Sequence, residues 1–270
     1  MKITIDHLIS YKKQKQKIVC LTAYSYPIAK ILDEICDIIL VGDSLGMTIY
    51  GFNDTTNVTM EMMINHGKAV TRACQKSLVI VDMPYGSYEL SKQKAIDNAK
   101  RIIDKTGCDA IKIETGKNII PIAEFLANNN IPTIAHIGLM PQSVNKIGGY
   151  KYQGKDELQA KELIKDAVEL EKCGVKAMVI EAVPAILASK ITEKIKIPTI
   201  GIGASIDCDG QVLVIDDLIG LNQQFKPKFV KNYCEIANII NMAAQEFAKE
   251  VRECKFPTND HLLHHSLILE

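Results

Sequence analysis

An excess of charge of either sign is missing from this chain of 270 residues, because 32 lysines and arginines stand against 32 aspartates and glutamates. Proteins that bind nucleic acid or anionic membranes concentrate basic residues in a patch, and no such patch stands out here. No apolar run reaches the roughly 20 residues of a membrane-spanning helix, and the first residues do not resemble a secretory signal. We therefore expect neither a nucleic-acid partner nor a membrane partner.

Paired cysteines and a dinucleotide-binding fingerprint are also missing. The eight cysteines include no Cys-x-x-Cys pair, so no zinc or redox motif is indicated. Several lie in apolar runs, where cysteine serves as a small core residue, and this usage favours a reducing cytoplasm. No Gly-x-Gly-x-x-Gly follows the first predicted strand, which disfavours an open nucleotide-binding sheet.

Apolar runs that predict strands alternate with segments of helical periodicity along the chain. The predicted strands lie at 17–24, 38–41, 78–81, 110–113, 131–135, 177–180, 197–203 and 212–215. The predicted helices include 28–35, 60–74, 91–106, 118–128, 156–173 and 228–252. Eight such repeats predict an α/β fold, a closed (β/α)8 TIM barrel, rather than a doubly wound open sheet. We expect one domain over residues 1–270, with a tail from about residue 257.

Four carboxylates, those of Asp43, Asp82, Glu114 and Glu181, close four of the predicted strands. The C-terminal ends of barrel strands form the active-site face. The first three acids end consecutive strands, which lie about 4.8 Å apart, so these side chains can converge. Oxygen ligands alone suit a hard cation, which predicts Mg²⁺ at Asp43, Asp82 and Glu114. The alternative is that each acid caps the following helix.

Three further features are expected at the same rim. Lys112 shares a face with Glu114 and would pair with a substrate carboxylate or phosphate; a salt bridge to Glu114 or Asp82 is the alternative. A Schiff-base role is disfavoured, because three adjacent carboxylates would keep this lysine protonated. His136 closes the fifth strand and either hydrogen-bonds the substrate or has its hydrogen bonds satisfied by neighbouring residues of the site. Glu181 lies away from the metal trio, where a raised pKa would suit a general base.

Two loops and the tail complete the candidates. The glycine-rich segment 138–154 is long for a βα loop and is a candidate substrate lid. The segment 201–204 leaves bare backbone, which suits either a flat or anionic ligand or a tight turn. His261, His264 and His265 have only Asp260 as an acidic neighbour, so we expect a solvated or oligomer-contacting tail rather than a metal site.

These motifs together resemble the ketopantoate hydroxymethyltransferase family, from about Leu21 to Pro257. The most specific ones are LTAY at 21–24, VGDSLGM at 41–47, VDMP at 81–84, IKIE at 111–114, HIGLMPQS at 136–143, GGY at 148–150, QG at 153–154, IE at 180–181, GIGA at 201–204 and DGQVL at 209–213. Met140 and Thr115 depart from the family's usual threonine and glycine. Neither departure removes a proposed catalytic group.

The resemblance implies a Mg²⁺-dependent (β/α)8 barrel, similar to phosphoenolpyruvate mutase and isocitrate lyase, that forms homo-oligomers, usually decamers. It places the metal at Asp43, Asp82 and Glu114, and the proton acceptor at Glu181. Ser44 and Lys112 would contact the oxo acid together with Asp43 and Asp82.

The reaction implied by the resemblance moves a one-carbon unit from 5,10-methylenetetrahydrofolate to 3-methyl-2-oxobutanoate and yields ketopantoate for pantothenate synthesis. Two alternatives stay open. One is a relative that performs phosphoenolpyruvate mutase or isocitrate lyase chemistry on other oxo acids, and the other is a non-catalytic barrel that serves as a scaffold. Folate-dependent turnover would separate all three.

Overall fold

The computed structural model describes residues 2–144, 149, 151–222 and 227–262. The backbone divides into two compact units: residues 2–215 with 228–230, and the remaining described residues from 216 onward. The expectation of a single domain stays a prediction. Within the described ranges, no helix is both long and apolar enough to cross a bilayer.

Eight parallel strands of the first unit close into a barrel in chain order, which confirms the predicted fold. The strands are β1 (Ile18–Thr22), β2 (Ile38–Val41), β3 (Leu78–Asp82), β4 (Ala110–Glu114), β5 (Thr133–Gly138), β6 (Ala177–Glu181), β7 (Thr199–Ile202) and β8 (Gly210–Leu213). All eight overlap the predicted runs. The largest offset is at β8, which begins at Gly210 because that residue pairs with Ile18 of β1. A Cβ at position 210 would lie 2.5 Å from the Ile18 carbonyl oxygen, so the pairing requires glycine there.

The helices follow the strands at the expected places, with four differences. They are α1 (Ile5–Gln14), α2 (Tyr26–Leu32), α3 (Leu45–Thr48), α4 (Met60–Ala73), α5 (Lys92–Thr106), α6 (Ile120–Asn128), α7 (Glu157–Lys172), α8 (Ala185–Lys194), α9 (Ile215–Leu218) and α10 (Ile236–Arg252). The helices α1, α3 and α9 were not predicted. The last helix begins at Ile236 rather than at 228, where the preceding backbone forms turns.

Side chains alternate between the two faces of each strand, so every second residue points into the barrel. Along β3 and β4 these inward residues are first apolar and then charged. In β3, Leu78 and Ile80 belong to the internal core, and Asp82 continues the same inward row. In β4, Lys112 and Glu114 follow the same row beyond the core residue at position 110. The inward face therefore changes from apolar to charged toward the C-terminal ends of the strands, which positions the candidate site.

Helix α1 packs its apolar face against the core at the N-terminal end of the barrel. Leu8 is fully buried in that core, and Ile5 and Tyr11 pack beside it. Lys12 Nζ forms an ion pair with Asp209 Oδ2 at 2.7 Å and also donates to the Thr192 carbonyl oxygen at 2.8 Å. The Thr4 side chain accepts a hydrogen bond from the His7 N–H and so caps the helix.

Truncation of Leu8 to alanine is expected to destabilise the barrel strongly. A fully buried leucine leaves a cavity when it is truncated, at a cost of about 2–5 kcal/mol in the free energy of unfolding. Denaturant unfolding would measure the loss. Leu158→Ala is the matched control, because that leucine is 70% exposed and should change stability by about 0.5 kcal/mol or less. Equal effects of the two substitutions would contradict the packing of α1 as described.

The second unit contains α10 and the described part of the tail. No residue of α10 is buried, and its exposed apolar side chains include Ile239, Met242 and Phe247. In the tail, His261 Nδ1 accepts the Thr258 N–H and lies 2.7 Å from the Thr258 hydroxyl oxygen, so this histidine closes a turn. His264 and His265 lie outside the described residues, and the expectation for the tail stays a prediction.

Candidate active site

The strand ends of β2, β3 and β4 bring one lysine and two aspartates into direct contact. The Asp43 backbone N–H donates to Asp82 Oδ2 at 3.1 Å, and Lys112 Nζ lies 3.0 Å from Asp82 Oδ1. All three residues are buried. The salt bridge that was the alternative role of Lys112 is therefore present, and substrate pairing by this lysine stays a prediction.

Electrostatics in this group favour a charged lysine. Burial alone would lower the pKa of Lys112, but the neighbouring carboxylates, Asp82 first, raise it above its ordinary value. Burial raises the pKa of Asp82 to about 7 although Lys112 opposes that shift. A lysine held protonated in this way is a poor Schiff-base nucleophile, and it suits binding of an anionic substrate group.

Glu114 joins the group through two residues that the sequence analysis did not assign a role. The Gln142 backbone N–H donates to both carboxylate oxygens of Glu114 at 3.1 Å, and Gln142 Nε2 donates to Asp43 Oδ2 at 2.7 Å. The Tyr88 hydroxyl donates to Gln142 Oε1 at 2.6 Å and accepts the Glu114 N–H at 3.1 Å. Gln142 lies within the motif at 136–143 and Tyr88 outside all the motifs, so only the folded chain reveals their contacts.

His136 has both ring nitrogens engaged. Its Nε2 lies 2.7 Å from the Leu139 carbonyl oxygen, and because a carbonyl can only accept, Nε2 carries the proton. The bare Nδ1 then faces Lys112 Nζ at 3.5 Å. Burial and the charge of Lys112 hold the pKa of His136 well below its ordinary value, so the ring is neutral. Substrate binding by His136 stays a prediction.

Glu181 is the more open carboxylate of the site. Its side chain is 14% exposed, against 3% for Asp82, and Oε2 lies 3.4 Å from His136 Nε2. Burial raises the pKa of Glu181 to about 8, with Lys112 opposing the shift. Glycine at position 138 permits the close approach of β5 to the Glu181 backbone in β6. A Cβ there would lie 2.2 Å from the Glu181 carbonyl oxygen, and the φ of Gly138 is +92°. A reachable carboxyl group with a raised pKa suits a general base.

Ser44 contacts a tyrosine, and part of the segment 201–204 lines a cavity. The Ser44 hydroxyl oxygen lies 2.8 Å from Tyr24 Oη, next to Asp43 in the chain. Gly203 and Ala204 line a cavity of about 740 Å³ together with Tyr152 and Phe229. Of the candidate lid, 138–144 is described, whereas 145–148 and 150 lie outside the described residues. The ligand roles of these segments stay predictions.

The donor set fits a hard divalent cation. Asp43, Asp82 and Glu114 offer only carboxylate oxygens, and burial raises the pKa of each. Ionised carboxylates this deeply buried repel one another, and a cation would relieve that repulsion. Among the described residues, however, no group of three or more Asp, Glu, His or Cys side chains is placed so that it could hold a metal ion, so the predicted three-carboxylate ligand set is not assembled here. Mg²⁺ is commonly held by one or two carboxylates plus water and substrate, so the arrangement remains compatible with it.

Solved structures of other enzymes share this barrel. Phosphonopyruvate hydrolase in complex with oxalate and Mg²⁺ matches with a TM-score of 0.62 and 12% identity, covering 98% of this chain and 93% of that one. The 2,3-dimethylmalate lyase, a phosphoenolpyruvate mutase/isocitrate lyase superfamily member, matches with a TM-score of 0.59 and 11% identity, covering 97% and 93%. Identities this low show the fold alone, and that fold is the predicted (β/α)8 barrel.

Sequence comparisons give a more specific result. The 3-methyl-2-oxobutanoate hydroxymethyltransferase of Paracoccus denitrificans (strain Pd 1222) is 48% identical over 254 residues, which are 94% of this chain and 92% of the relative. The enzyme of the same name from Rhizobium etli (strain ATCC 51251 / DSM 11541 / JCM 21823 / NBRC 15573 / CFN 42) is 50% identical over 253 residues, covering 94% and 93%. The family model described as ketopantoate hydroxymethyltransferase matches residues 2–259. This chain therefore belongs to the ketopantoate hydroxymethyltransferase family.

Proposed function

We propose that this protein transfers a hydroxymethyl unit from 5,10-methylenetetrahydrofolate to 3-methyl-2-oxobutanoate, giving ketopantoate (2-dehydropantoate) for pantothenate and coenzyme A synthesis. The observation that carries the proposal is the buried group at the barrel mouth. There Lys112 is paired with Asp82, and Glu181 has a raised pKa and partial access to solvent. Relatives with 48% and 50% sequence identity bear the name of the corresponding enzyme.

Substrate placement follows from the charges at the mouth. Asp43 and Asp82, with Glu114 beside them, would hold Mg²⁺, which when bound polarises a keto carbonyl and makes the adjacent C3–H more acidic. Lys112 is kept protonated and would pair with the substrate carboxylate. The carboxylates and Lys112 are buried, so water is excluded from them. Their electrostatic interactions with the cation and with the substrate carboxylate would therefore be stronger than in water.

Glu181 would then remove the C3 proton, and the resulting carbanion attacks the methylene carbon of the folate. This attack breaks one C–N bond of the methylene bridge, and water breaks the other and leaves its oxygen on the methylene carbon as the hydroxyl group. The C3 proton and the two hydrogens of water together supply the hydroxyl hydrogen and the two N–H hydrogens of the departing tetrahydrofolate. A protonated Glu181 and the neighbouring His136 Nε2–H would both be hydrogen-bond donors. They could share the proton only if one of the two side chains reoriented. Glu181 therefore has to return its proton to solvent or to the departing folate.

The wider context of the activity is also a proposal. We infer a cytoplasmic homo-oligomer, a decamer by family resemblance. The exposed apolar side chains of α10 support self-association, because apolar surface of this kind commonly marks protein contacts.

Turnover with defined substrates tests the proposed function. With 3-methyl-2-oxobutanoate, 5,10-methylenetetrahydrofolate and Mg²⁺, we expect ketopantoate, detected by mass spectrometry, and no product when the folate is omitted or Mg²⁺ is chelated. The neighbouring fold families supply the control reactions, namely phosphonopyruvate hydrolysis and 2,3-dimethylmalate cleavage. Activity on either control substrate with none in the folate assay would refute the proposal, and inactivity in all assays would favour a scaffold.

A further inference from the structure

We propose that Gln142, held in orientation by Tyr88, is a positioning residue that fixes the Asp43 carboxylate for the divalent cation. The inference rests on the proposed function, since it concerns the same metal site. Neither residue is among those expected to bind the substrate, and both are almost completely buried. Their role would be to hold a ligand of the metal rather than to take part in proton or carbon transfer.

In one orientation, the Gln142 side chain uses both amide hydrogens as donors, and its oxygen accepts one hydrogen bond. Nε2 donates to Asp43 Oδ2 at 2.7 Å and to the Met83 carbonyl oxygen at 3.0 Å, while Oε1 accepts from Tyr88 Oη at 2.6 Å. The reversed amide would set Oε1 against two acceptors and leave the amide nitrogen facing the tyrosine hydroxyl. The amide orientation is therefore determined by its partners.

The same side chains link strands that are not neighbours in the barrel. Asp43 follows β2 and Glu114 ends β4, with β3 between them, and Gln142 reaches both from the segment after β5. Tyr88 completes the connection, because its hydroxyl accepts the Glu114 N–H and donates to Gln142. One oxygen of Asp43 is restrained by this bond, which limits the rotation of the carboxylate and prepares its other oxygen for a ligand role.

Mn²⁺ binding to the full-length protein without substrate, followed by the EPR signal of free Mn²⁺, tests the inference independently of turnover. Gln142→Met keeps the length of the side chain and the backbone N–H bond to Glu114, and it removes only the side-chain bonds. We expect a loss of about 10–100-fold in Mn²⁺ affinity, as for other residues that orient metal ligands. Tyr88→Phe should weaken Mn²⁺ binding less than Gln142→Met does. The double variant should lose less affinity than the product of the two single fold losses, because both residues act through one hydrogen-bond network.

Two controls separate positioning from general damage to the fold. Thr133→Val removes another buried side-chain hydrogen bond, to the Ile131 carbonyl oxygen, from the opposite end of β5, and it should leave Mn²⁺ affinity unchanged. For Gln142→Met, kcat should recover as Mn²⁺ is raised to saturation, and the circular dichroism of the metal-free variant should match that of the wild type, which a folding defect would not allow. Wild-type affinity in Gln142→Met would overturn this inference alone. If the wild-type protein bound no Mn²⁺, the metal site of the proposed function would fall as well.

Discussion

Asp82→Asn is expected to abolish metal-dependent turnover while the barrel still folds. The substitution keeps the shape of the side chain and an acceptor for the Asp43 N–H, but it removes the charge that would attract the cation and that now pairs with Lys112. Loss of Lewis-acid assistance costs several kcal/mol of transition-state stabilisation, about 10²–10⁴-fold in kcat/KM. Initial rates measured over a range of Mg²⁺ concentrations would show the effect, and circular dichroism would show the retained fold.

Asp209→Asn is the matched control for Asp82→Asn. Asp209 is also an aspartate paired with a lysine, Lys12, but at the N-terminal end of the barrel. This variant should lose stability and keep its kcat/KM. Full turnover by Asp82→Asn at ordinary Mg²⁺ concentrations, or equal losses of activity in both variants, would contradict the assignment of Asp82 to the metal site.

Glu181→Gln should nearly stop exchange of the C3 hydrogen of 3-methyl-2-oxobutanoate into D₂O. The assay contains Mg²⁺ and no folate, so it reports proton removal before carbon transfer. General-base effects are typically about 10²–10⁴-fold, and glutamine keeps the shape while losing the base. Binding of the oxo acid, followed by calorimetry, should persist. Lys112→Met should instead weaken binding of the oxo acid more than it slows exchange, because it loses the charge proposed to pair with the substrate carboxylate.

The pH dependence of this exchange adds a second readout. A base accepts a proton only when it is deprotonated, so exchange should rise as pH increases through the Glu181 pKa and level off above it. Without ligands that pKa is about 8, and the positive charge of a bound cation should move the midpoint lower. Exchange by Glu181→Gln at the wild-type rate would place the base elsewhere. His136 would then be the next candidate, through its bare Nδ1.

The barrel could be predicted because its signals are local and repeated. Each strand is a short apolar run, and several helices carry caps that are visible in the sequence, such as Ser91 before α5 and Gly107 after it. Helix α1 was missed because only Leu8 of its ten residues is buried, so its apolar stripe is narrow and its stability depends on packing against the barrel core. Helix α3 is a single turn, and no sequence pattern separates such a turn from a loop.

The site could be predicted only where it is built from strand ends. Asp82, Lys112 and Glu114 follow from the alternation along β3 and β4, because inward rows have a period of two. Gln142 and Tyr88 reach the site from segments between elements, and no periodicity fixes where such segments fold back. Their contacts depend on long-range hydrogen bonds that only the folded chain defines.

The segment that follows β5 limits how this enzyme can diversify. Leu139 donates its N–H to the Glu181 carbonyl oxygen at 2.9 Å and accepts from His136, while Gln142, three residues later, contacts Asp43 and Glu114. An insertion or deletion between these two residues would displace the proposed base and the proposed metal ligands together. New substrate range is therefore better sought by library design in other βα loops of the same rim, with residues 138–144 held constant.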